Sequence, residues 1–98
     1  MPKLDSQGRL LIPLELREEL GWTVPKEIAI CYNFQDGNIT IISKSDIADK
    51  NVISFRKLDP KGRFCVPNEV FNLLKLGKTA LFIPFLHNNI LCIKGIVK

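Results

Sequence analysis

The chain has one histidine and three cysteines, Cys31, Cys65 and Cys92, which are odd in number and lie far apart within apolar stretches. A disulfide framework or a metal site needs paired, closely spaced residues, so these cysteines are expected to be small buried apolar side chains. His87 falls in a predicted turn and the carboxylates are not clustered, so no nucleophile, base and orienting group come together. Gly8 and Gly62 stand alone rather than in a phosphate-cradling run. The sequence therefore holds no catalytic set, no metal-ligand set and no cofactor motif, and no small-molecule substrate is evident. No apolar run reaches the roughly 18 residues of a membrane span, and Met1-Pro2-Lys3-Leu4-Asp5 carries no signal-peptide apolar region. A cytoplasmic protein without a membrane partner is expected.

What the sequence does contain is a folded composition. Of 98 residues, 46% are apolar and 24% charged, which excludes disorder and allows one domain or two very small ones. A mean hydropathy of +0.10 in so short a chain predicts that another subunit covers some apolar area. The net charge of +4 permits a polyanionic partner without requiring one. Its distribution says more: residues 1–49 carry five Lys/Arg against eight Asp/Glu, and residues 50–98 carry nine against two.

An internal repeat organises the chain. The segment from Lys3 to Leu16, KLDSQGRLLIPLEL, recurs from Lys57 to Val70 as KLDPKGRFCVPNEV, with seven of fourteen positions identical and three more staying apolar. The expected units are residues 1–44 and 53–98, joined by a polar linker over 45–52.

Each unit reads alike. Asp-x-x-Gly-Arg has a turn composition, and Gly8 and Gly62 supply a positive φ, so a β-hairpin-like loop is predicted between a basic lead-in strand and a short apolar one. Ile12-Pro13 and Val66-Pro67 mark the switch to a two-turn helix, because the residue before proline stays extended while proline suits a first helical turn. Copy one's helix is predicted from Pro13 to Leu20, with Gly21 ending it; copy two's is expected to stop near Gly77. A second hairpin follows in each unit. Asp36-Gly37 predicts a two-residue turn in copy one, and His87-Asn88-Asn89 a turn in copy two, where Pro84 forces a bulge or an edge position. The unit is β-β-α-β-β, twice.

This succession resembles the AbrB/MraZ superfamily of bacterial DNA-binding regulators. In copy one the resemblance runs through Leu4-Asp5-Ser6-Gln7-Gly8-Arg9-Leu10-Leu11-Ile12-Pro13, then Leu16-Arg17 and Leu20-Gly21. Copy two keeps Leu58-Asp59-Pro60-Lys61-Gly62-Arg63 and Val66-Pro67, then departs, with Phe71-Asn72 replacing the arginine-bearing turn and Lys75 standing where the helix-ending glycine would be. The resemblance implies a mainly β fold with short helices, in which the duplicated units interleave into one pseudo-twofold swapped-hairpin barrel. The additional helices of the MraZ branch are missing, and a double-psi-type barrel would show the same periodicities.

The function implied is a nucleoid-associated transcriptional regulator whose partner is double-stranded DNA. Arg9 and Arg63 belong to the implied DNA-facing loops, with Lys3 and Lys57 on the preceding strands, Arg17 on the helix, and Arg56 and Lys61 completing the densest basic cluster. Guanidinium groups suit guanine edges or phosphates, and lysines suit phosphates. Asp5 and Asp59 are expected to brace their own turns with Gly8 and Gly62. In copy two the helix face turns apolar, so Phe71 and Leu73 are expected at a homo-oligomer interface. Two rivals remain: an antitoxin, disfavoured because the sequence ends directly after the last strand without a wrapping tail, and a protein-interaction or assembly module that has lost DNA affinity.

Overall fold

The structure, a computed structural model, describes residues 4–47, 51–77 and 80–96. Two three-residue strands, β1 (Arg9–Leu11) and, in copy two, its counterpart Arg63–Cys65, pair antiparallel across the copies. Leu10 lies opposite Phe64, its own counterpart in the repeat, so a pseudo-twofold axis passes between them. The backbone continues the symmetry: the Ile12 N–H donates to the Gly62 carbonyl at 2.9 Å and the Val66 N–H to the Gly8 carbonyl at 3.2 Å.

Copy one continues with α1 (Leu14–Glu19), β2 (Lys26–Asn33) and β3 (Asn38–Ser43), then a short 3-10 turn at Lys44–Asp46. Copy two supplies β4 (Val52–Leu58), the ribbon strand β5 (Arg63–Cys65), α2 (Asn68–Leu74), β6 (Leu81–His87) and β7 (Ile90–Ile96). The larger sheet runs β4-β2-β3-β7-β6, all neighbours antiparallel. Copy two's lead-in strand thus pairs with copy one through β2, and the copies meet again where Thr40 lies opposite Cys92 in β3 and β7. No helix among the described residues is long and apolar enough to cross a membrane.

Several expectations are corrected. The strands form two sheets with no closed barrel among the described residues; β4 and β6 remain as edges. The Asp-x-x-Gly-Arg loop of copy two is hairpin-like at its ends, where the Asp59 N–H donates to the Arg63 carbonyl at 2.9 Å, but its strands go on to separate partners, β4 to β2 and β5 to β1, so the loop routes the chain from one sheet to the other. The first hairpin turn has four residues, Phe34 to Gly37, closed by the Gly37 N–H on the Asn33 carbonyl at 2.8 Å. The second has two, Asn88 and Asn89, both at positive φ, as a twist-matched hairpin turn requires. Pro84 does sit on an edge strand, β6.

The helix ends explain the other departure. In α1 the N–H of Trp22 reaches the Arg17 carbonyl and that of Gly21 reaches Glu18, a pair of bonds that closes the helix with Gly21 at φ +69. Copy two repeats both bonds, Leu76 to Phe71 and Lys75 to Asn72, with Lys75 at φ 55. A lysine adopts the left-handed conformation because the surrounding chain path repeats, so α2 ends at Leu74 rather than near Gly77.

The core lies between the inner face of the larger sheet and the ribbon with its two helices. Leu10, Phe64, Ile28, Ile30, Ile41 and Phe82 are fully buried within it, each contributing about 1.5–3 kcal/mol relative to exposure. Phe71, expected at an interface, is instead in this core at 8% exposure, its ring edge-on to Phe82 at 5.5 Å. The apolar face of α2 turns inward, and only Leu73, 38% exposed, faces out among the large apolar residues of that helix. Phe71→Ala should therefore cost about 3–5 kcal/mol in urea unfolding, and Leu73→Ala less than about 1 kcal/mol; equal losses would contradict this placement.

Candidate nucleic-acid interface

In a three-residue strand the side chains alternate, so Leu10 and Phe64 enter the core while Arg9, Leu11, Arg63 and Cys65 share the outer face of the ribbon. Arg9 faces Cys65 and Arg63 faces Leu11, which makes the two arginines diagonal neighbours on one surface. Leu11, 48% exposed, and the exposed Cys65 lie between them. Sequence reasoning passed over Leu11 and placed Cys65 among the buried small side chains; Cys65 is exposed instead, because the alternation that buries Phe64 turns its neighbour outward. The alternation through Leu10, Leu11 and Ile12 carried the signal, since only the first and third of these are buried.

The two loops are built identically. Asp5 Oδ1 accepts the backbone N–H groups of Gln7 and Arg9, each at 2.9 Å, and its Oδ2 accepts Arg9 Nε at 2.7 Å. Asp59 does the same for Lys61, Arg63 and Arg63 Nε, at 2.9, 2.9 and 2.8 Å. Both carboxyls are held below the usual carboxylate range, chiefly by the backbone N–H of the arginine that closes the loop, with its guanidinium adding. Each arginine spends Nε on this brace, so its outer nitrogens are presented from a fixed position. Arg9 Nη1 also lies 3.8 Å from Asp59 Oδ2, tying the loops together.

Three further cations converge on copy two's loop. Arg17 donates Nε to the Ile12 carbonyl at 2.9 Å, and its guanidinium lies against Gly62, where a Cβ would stand 2.6 Å from Nε. Arg56 donates Nε to the Cys65 carbonyl at 3.2 Å and Nη1 to the Phe55 carbonyl at 2.8 Å and to Ser54 Oγ, fastening β4 to the ribbon. Lys61 is exposed in the turn itself. Lys57 parts from this group, because the strand alternation sends it to the opposite face of β4 from Arg56, beside Glu27 in register. Lys3 lies outside the described residues. No group of three His, Cys, Asp or Glu among the described residues could hold a metal ion.

Compared with known proteins, the chain matches no family, no curated protein and no solved structure.

The Arg17 contact makes the two loop glycines unequal. Both have positive φ, +75 at Gly8 and +83 at Gly62, but a Cβ at Gly8 would meet nothing within 4 Å. Gly8→Ala should lose only the conformational term of about 1–2 kcal/mol, and Gly62→Ala measurably more, by displacing Arg17; equal melting temperatures would refute the contact. The braces also predict an acid limb. Each Asp titrates lower folded than unfolded, so its stabilisation is present above the ordinary value of about 3.9 and is lost as pH falls through the depressed folded value. Urea midpoints should drop more steeply below about pH 4 in the wild type than in Asp5→Asn/Asp59→Asn; parallel curves would overturn this.

Proposed function

We propose that the protein is a DNA-binding transcriptional regulator of AbrB/MraZ type that contacts duplex DNA through its two Asp-x-x-Gly-Arg loops and the ribbon between them. The observation that carries this reading is the pair of arginines fixed at Nε by their own loop carboxylates on one pseudo-twofold face. A guanidinium held at Nε presents its outer nitrogens, in Arg9 the Nη2 and in Arg63 both, to a phosphate or a guanine edge, and pre-orientation lowers the entropy lost on binding. Lysine at position 61 and the arginines at 17 and 56 add positive field around copy two's loop. Leu11 on the same face suits apolar contact with a thymine methyl group.

The interleaved strands support the swapped-hairpin reading: β4 on β2, β1 on β5 and β3 on β7 each join one copy to the other. In this reading the two copies make one body, and the reader is pseudo-symmetric with unequal halves. A cytoplasmic, nucleoid-associated homo-oligomer follows, with Leu73 as the contact for a second copy. A Leu73→Glu variant with unchanged size-exclusion mass would remove that contact.

Fluorescence anisotropy with mixed genomic upstream fragments at two salt concentrations tests the reading. Wild-type affinity should fall steeply with salt, with a logarithmic slope of about −0.9 per phosphate neutralised, and Arg9→Ala/Arg63→Ala should abolish binding. Arg63→Ala alone should weaken binding more than Arg9→Ala, because more cations surround its loop. Absence of binding at low salt, or binding untouched by the double substitution, overturns the proposal.

A further inference from the structure

The pseudo-twofold relation also pairs two seats beneath the helix ends, and they differ. Because copy one's hairpin turn is two residues longer, Ser43, which faces Ile28, corresponds to Gly95, which faces Phe82. Trp22 and Leu20 correspond likewise to Leu76 and Leu74. In copy two the seat is filled: Leu76 lies directly on Gly95, too close for any Cβ there, and Leu74 Cδ1 stands 3.5 Å from the same point. In copy one the seat is open, a cleft of about 360 Å³.

Leu20, Trp22, Ile41 and Leu91 give this cleft apolar walls, Asn89 adds a polar side chain, and Asp46 is its one charged lining residue among the described residues. Ser43 lies in it at 7% exposure, as the one buried polar residue among those described. Its hydroxyl makes no hydrogen bond to the described residues, yet it is not a sealed, unsatisfied atom, so it opens onto the cleft. Hydroxyls in such nearly buried positions are ordinarily hydrogen-bonded, so an accessible one without a protein partner is left for water or a ligand. A cleft of this size that sets a few polar groups among apolar walls is the ordinary form of a small-ligand site.

We propose that this cleft binds a small aromatic or alkyl amine, its apolar body between Trp22 and Leu91 and its ammonium group donating to the Asp46 carboxylate and Ser43 Oγ. The sign of the ligand follows from Asp46. Two lysines neighbour the cleft in sequence or contact but do not line it: Lys26 is engaged over the Trp22 ring at 5.5 Å, and Lys44, next to Ser43, lies 3.9 Å from Glu27 Oε2. The proposal is independent of DNA binding.

Trp22 is the single tryptophan, so its emission reports occupancy directly. The probes are phenethylamine, the uncharged phenethyl alcohol and the anionic phenylacetate, titrated into the full chain. Phenethylamine should give a saturable change, binding about tenfold tighter than the alcohol, with no saturation by phenylacetate. Asp46→Asn, at an exposed position, should keep the fold and bring the amine down to the level of the alcohol. Trp22→Leu/Ser43→Gly, which installs copy two's residues, should abolish the heat of binding in calorimetry. No saturable change with the wild type, equal binding of the three probes, or an amine preference that survives Asp46→Asn would overturn the proposal.

Discussion

Two strands of three residues each carry the architecture, and neither could persist alone. A three-residue strand offers too few hydrogen bonds to offset the entropy of ordering it, so β1 and β5 exist only as partners of one another. Their pairing brings Leu10 and Phe64 into the centre of the core and, by the same alternation, sends Arg9 and Arg63 outward. Everything proposed for the basic face inherits its geometry from this ribbon. The bonds from Ile12 to Gly62 and from Val66 to Gly8 fasten each loop to the opposite copy, so the shape each aspartate gives its own loop is set in a fixed relation to the other.

The symmetry is kept in the backbone and abandoned in the side chains. Both helix ends close with the same two hydrogen bonds, although one uses glycine and the other forces a lysine to positive φ. At the equivalent positions 17 and 71, an arginine bonded to a carbonyl and laid on a glycine is matched by a phenylalanine buried against Phe82. A charged side chain needs carbonyl partners and access to water, whereas an aromatic one needs neither, so the same helix position became surface in one copy and core in the other.

The repeat, the turn glycines, the proline switches and the braced aspartates were all legible in the sequence, because each is a local rule with a local signature. Phe71 was misplaced because amphipathicity identifies an apolar face without saying what covers it; its partner Phe82 lies in another element, and no periodicity links the two. The turn after Asn33 was read as two residues because Asp36-Gly37 is a strong signal, while the tip is fixed by register, with Asn33 opposite Asn38. The separation of Lys57 from Arg56 was hidden by counting charges along the chain, a measure that ignores strand alternation. The Arg17–Gly62 contact joins residues of different copies, and a glycine carries no side-chain pattern to announce a neighbour.

The pseudo-twofold ribbon has a consequence for how such a molecule can vary. In a symmetric pair of identical chains every substitution occurs twice, so a residue suited to one half must be tolerated in the other. Here the halves are covalently one, and a change at position 43 or 71 falls on a single side. The open cleft beside Ser43 and the filled seat at Gly95 are what that freedom permits: one fold, used twice, with each use free to acquire its own chemistry.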